Sequence, residues 1–111
     1  VREAVIIAIG AVWGADYELY AQTNVARKAG LSDHAITTLA GGGMPEDLSD
    51  HEKIAVRLAR QLSTHHSVDD ALYHEAEQAF GQTGLFDIVA VMGVYQTVCS
   101  ALALFEAPAP S

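Results

Sequence analysis

The sequence predicts an all-α fold, one compact domain of about six helices, on three observations. Apolar residues recur at three- and four-residue spacing in successive segments. No segment alternates with the two-residue period of a half-buried strand. Glycine and proline punctuate the chain between the periodic segments, where turns belong. Half of the 111 residues are apolar, enough for a core, yet a chain this short leaves much apolar surface uncovered. Association into a homo-oligomer is therefore expected.

The elements follow in order. A first helix runs from Glu3 to about Trp13 and is apolar nearly all round (Val5, Ile6, Ile7, Ile9, Val12), as a central helix would be. Gly14 breaks it. A second runs from Asp16 to Ala29, with Arg27 and Lys28 in its last turn, where cations suit the helix dipole, and Gly30 as its stop. Ser32 caps a short third helix from Asp33 to Ala40, and Gly41-Gly42-Gly43-Met44-Pro45 is a loop. Ser49 with Glu52 forms a capping box for the fourth helix, with Leu48 as a hydrophobic staple and Ile54, Ala55, Leu58, Ala59 and Leu62 on one face. Ser67 with Asp70 repeats that pattern for a fifth helix, which Gly81 stops after Phe80. Thr83 then caps a long sixth helix ending near Glu106. The helical domain is expected over residues 1–106, and residues 107–111 (Ala107-Pro108-Ala109-Pro110-Ser111) form an extended tail.

Charge narrows the function classes. The net charge is −8, and all six basic residues (Arg2, Arg27, Lys28, Lys53, Arg57, Arg60) precede position 61. Nucleic acid or an anionic membrane has no basic patch to grip. Residues 88–105 carry no formal charge and match the shortest membrane-spanning helices in length. Gln96, Thr97 and Ser100 interrupt them, Asp87 precedes them, and no Lys or Arg flanks them, so a core or subunit-interface helix is the reading preferred here. The single cysteine, Cys99, excludes an internal disulfide scaffold. The opening residues do not pattern as a signal peptide, so a cytoplasmic location is expected, and with no initiator Met the natural protein is expected to extend upstream.

Chemistry concentrates near the N-terminus. Glu18 and Gln22 stand four apart and share a helix face, and Glu3 opens a helix that is otherwise almost wholly apolar. If the first two helices pack as a hairpin, carboxyls sit beside an apolar core. Desolvation there favours a neutral acid, which makes a candidate proton donor or acceptor. A plainer reading remains open: Glu3 as a first-turn acid facing the helix dipole, Glu18 as a solvated surface residue. Asp70 and His74 share a helix face, but two ligands do not make a metal site, and no metal is assigned. The glycine run carries no phosphate-loop motif.

The ordering Arg2-Glu3, an apolar helix, Tyr17-Glu18 and then Ala29-Gly30-Leu31-Ser32 resembles the carboxymuconolactone decarboxylase family, which includes alkylhydroperoxidase-like proteins. Leu48-Ser49, Leu58-Ala59, Leu85 to Gly93 and Tyr95 extend the similarity over nearly the whole chain. The resemblance implies an alkylhydroperoxidase-like helical fold and a trimer or hexamer. It also implies a small apolar pocket between the first, second and sixth helices. Redox members carry a Cys-x-x-Cys pair, then a His; the corresponding positions here hold Ala15, Glu18 and Gln22. Thiol peroxidase chemistry needs an attacking thiolate and a resolving thiol, so it is not expected. The resemblance implies cofactor-free acid/base chemistry on a small organic acid or lactone, decarboxylation being the family's reaction. Glu18 would donate the proton, Gln22 would orient the substrate, Glu3 would tune Glu18, and Trp13, Tyr17 and Tyr95 would line the pocket. Gln22 stands where a proton-shuttling His would be, which favours the alternative of a non-catalytic ligand-binding or structural oligomer.

Overall fold

The computed structural model describes residues 1–14 and 16–105, and of residues 16–18 the backbone alone. Five helices follow one another: α1 (Arg2–Trp13), α2 (Asp16–Lys28), α3 (Asp33–Ala40), α4 (Asp50–His65) and α5 (Asp70–Leu104). No strand occurs among the described residues.

The uniform apolarity of α1 decides the architecture. Every residue from Ala4 to Gly10 is buried, so the helix has no solvent face over nearly two turns, and it touches all four of the others. Val5 and Ile9 pack against α4 and α5 through Ile54, Leu58, Leu72, Ile88 and Met92. Ala4, Ile7 and Ala8 pack the other way, against Ala26 of α2 and Ala35, Ile36 and Leu39 of α3. The core is thus two clusters with α1 between them. At its end Gly14 takes the left-handed conformation (φ 62°) that closes the helix.

The capping chemistry is as the sequence implies for α3 and α4. Ser32 accepts from the Ala35 amide, and at α4 Ser49 and Glu52 form both halves of the capping box above a buried Leu48. At α5 the cap differs from expectation. Asp69, not Ser67, is the N-cap: its carboxylate accepts from the Leu72 amide at 2.8 Å, while the Gln61 amide pins its other oxygen at 2.9 Å. A carboxylate held from two sides outcompetes a hydroxyl two residues earlier.

The expected fifth and sixth helices meet end to end in α5, across a kink at the expected position, Gly81. Gly81 takes φ 67°, ψ 174°, a conformation open to glycine, and Thr83 lies inside the second helical stretch rather than at its cap. Straight, 35 residues would extend about 52 Å, longer than the 42 Å long axis of the molecule, so the bend is what folds α5 onto the core. Beyond the bend one face of α5 is buried (Ile88, Met92, Cys99) and the opposite face is open. By length and composition α5 is the one described helix that could cross a membrane; only 17% of its most apolar window is buried.

Candidate active site at the start of α1

The first turn of α1 carries the only charged residues of that helix, and the fold brings them against α5. Arg2 reaches in two directions. Its Nη1 donates to Glu3 Oε1 at 3.0 Å and its Nη2 donates to the Tyr95 hydroxyl at 3.3 Å, with the guanidinium 5.8 Å from the Tyr95 ring centre. Tyr95, 93 residues away in sequence, is partly buried on α5.

Glu3 is the unusual member. Its side chain is only 12% exposed, and its second oxygen, Oε2, is buried with no hydrogen-bond partner among the described residues. Native structures rarely leave a buried carboxylate oxygen open. This oxygen is closed to solvent, and Glu3 communicates with the surface through Arg2, which holds its other oxygen.

Beside this cluster, a recess of about 390 Å³ lies between the start of α1 and the bend of α5, walled by Val5, Phe80, Ile88 and Val91, with Arg2 and Asp87 as its charged lining. Two local features shape it. The Phe80 ring stands edge-on to the His51 ring at 5.3 Å, fixing one wall. Gly84 lets α5 fold back over Phe80, since a Cβ at that position would sit 2.7 Å from the Phe80 Cβ.

The structure brings some of the sequence-derived residues together and separates others. Glu3 and Tyr95 meet through Arg2. α1 and α2 pack against each other, as the hairpin expectation requires, and Gln22 on α2 is partly buried. The side chains of Tyr17 and Glu18 lie outside the described residues. Trp13 sits at the other end of α1, about 15 Å from Glu3 along the axis. It is 43% exposed and lines a separate recess with Val12, Leu62, Ser63, His66 and Gln96. Asp70 and His74 are exposed on the first turns of α5, and the described residues contain no cluster of three potential metal ligands.

Sequence reasoning passed over Arg2 as a contact group, and over Phe80, Asp87 and Val91 as walls. A usable signal existed for Asp87, the only charge between Gly81 and Phe105. The others depend on the bend at Gly81, which no residue pattern locates in space. Comparison of the chain with protein-family models, with curated proteins and with solved structures returns no match, so the chemistry of this site is read from its own geometry.

Proposed function

We propose that the chain binds a small organic acid or lactone in the recess beside Arg2 and acts on it by cofactor-free proton transfer. The observation that carries this reading is the Glu3 carboxyl: almost buried, held by Arg2 through one oxygen, and at the other without a hydrogen-bond partner among the described residues. Arg2 has five N–H donors and uses two on Glu3 and Tyr95. The remainder suit a substrate carboxylate or carbonyl, whose apolar body would rest on Val5, Ile88 and Val91. Glu3 is the proposed proton-transfer group, and the Tyr95 hydroxyl a second hydrogen-bonding group. The resemblance to the carboxymuconolactone decarboxylase family implies roles for Glu18 and Gln22 of α2 as well, although the described walls of this recess come from the start of α1 and from α5. Desolvation by the apolar walls would strengthen each polar contact in the recess.

The test has a binding arm and a turnover arm. A panel of small unsaturated carboxylates and lactones is titrated while the backbone amides of Gly84, Ile88 and Val91 are followed by NMR. Saturable shifts are expected, with affinity falling about 10- to 100-fold in Arg2→Gln, the range for a lost charged hydrogen bond. If no compound shifts those amides at millimolar concentration, the reading fails. With a turned-over compound in hand, Glu3→Gln and Glu18→Gln are assayed separately for loss of lactone or acid decarboxylation. A turnover untouched by Glu3→Gln would remove Glu3 from the chemistry. Saturable binding without any turnover would favour the second reading, a ligand-binding protein, which the proton-inert Gln22 supports.

A further inference from the structure

Between Gly81 and Phe105, α5 has two unlike faces. One is sealed against α1 and α4 by Ile88, Met92 and Cys99. On the other, Phe86 is 73%, Val94 58%, Leu104 74% and Phe105 78% exposed, with Val89 and Val98 also open. Large apolar side chains present roughly 150–200 Å² apiece, so these six leave about 600 Å² uncovered. That is at the upper end of the roughly 300–600 Å² that the largest apolar patch of a soluble monomer covers and approaches the roughly 800 Å² per partner of a stable protein interface.

We propose that this face is covered by the same face of a second copy, in an antiparallel α5–α5 pair. The order of side chains along the stripe carries the assignment, because it reads nearly alike in both directions about the midpoint between residues 95 and 96. With a two-fold axis there, Phe86 comes beside Phe105, Ala90 beside Ala101, Gly93 beside Val98 and Val94 beside Thr97. Small residues then meet near the middle, where the backbones approach, and bulky ones close the ends. At Gly93 nothing lies within 4 Å of a built Cβ, so the space that a neighbouring helix would enter is open. Self-pairing of this isologous kind is the commonest oligomer geometry.

Charge separates a second copy from a membrane. The chain is uncharged from Ile88 to Phe105, so two chains of net charge −8 can meet along the middle of the stripe with no charge between them, Asp87 lying at its edge beside Phe86. A bilayer surface would instead be approached by an acidic protein with no cation beyond Arg60. Spanning a bilayer would also strip Ile88, Met92 and Cys99 from the core that α1 and α4 build around them.

The experiment measures solution mass by sedimentation between 1 and 100 µM, about the range where weak homodimers dissociate, together with flotation on zwitterionic vesicles. The wild-type chain is expected at twice its 11.8 kDa mass at the upper concentration, and absent from the vesicles. Val94→Glu, an exposed substitution, is expected to leave helicity and melting unchanged and to give a monomer. Ala90→Lys and Ala101→Glu are each expected to be monomeric alone and to form a mixed dimer when combined, because the antiparallel register sets those positions opposite one another. A wild-type monomer, a Val94→Glu dimer or a vesicle-bound monomer overturns the proposal. Failure of the mixed pair alone overturns the antiparallel register.

Discussion

At the scale of single residues, carboxylates with different surroundings have different consequences. Glu3 is enclosed and half-satisfied, whereas Asp47 and Asp69 are open to solvent and act as hydrogen-bond acceptors. The Leu72 amide and then the Gln61 side chain hold the Asp69 carboxyl below its ordinary 3.8. The Ser32 hydroxyl does the same for Asp47, which it meets at 2.5 Å. A carboxyl whose folded value is depressed contributes stability above its unfolded value and loses that contribution as pH falls through the folded one. Both groups therefore stabilise the fold above about pH 4 and cease to do so in stronger acid. Asp69→Asn keeps a capping side chain but cannot ionise. Urea midpoints measured from pH 6 downwards are expected to fall less steeply below pH 4 in Asp69→Asn than in the wild type; identical slopes would show that the cap does not titrate with folding.

At the scale of elements, α5 depends on two glycines for different reasons. Gly81 sits at φ 67°, ψ 174°, a region that a Cβ makes costly. Gly81→Ala is expected to destabilise by about 1–3 kcal/mol. Gly84 is helical, and its constraint is space: an added methyl meets the Phe80 Cβ at 2.7 Å. Gly84→Ala is expected to cost about 1–3 kcal/mol as well, the usual range for overpacking. The two separate in a ligand titration. Gly84→Ala displaces Phe80, a wall of the recess, and is expected to shift ligand affinity. The cap at α4 contributes on the same scale, since Ser49→Ala removes one half of the capping box at about 1 kcal/mol.

At the scale of the whole molecule, α1 is the strut on which both apolar clusters are built. Ile9 is fully buried and faces α4 and α5. Ile9→Ala is expected to lower stability by about 2–5 kcal/mol, a large part of the total for a domain of this size. Val25→Ala on α2, at 42% exposed, is expected to stay within about 0.5 kcal/mol of wild type. Calorimetric melting distinguishes the two. If Ile9→Ala melts like the wild type, α1 is not the centre of the core. The proposed self-pairing of α5 would add a concentration dependence to such measurements, so the comparison is made at one protein concentration.

Local chemistry determined what could be read along the chain: the helical class, the first four helices, the Ser32 and Ser49 caps and the centrality of α1 all follow from periodicity and capping groups within a few residues of one another. Glu3 was legible as a carboxyl at the edge of an apolar helix for the same reason. Other features depended on groups distant in sequence. Gln61 helps fix Asp69 rather than Ser67 as the cap of α5, the two helical stretches on either side of Gly81 meet in a kink, and Arg2 meets Tyr95 only after α5 folds back. Trp13, grouped with Tyr95 on apolar character, lies at the far end of α1, because a helix separates its ends by its rise per residue whatever its composition. The sequence alone marked which faces are apolar; tertiary packing decided which of them α1 covers and which stretch of α5 stays open, because burial depends on the shape of the partner surface.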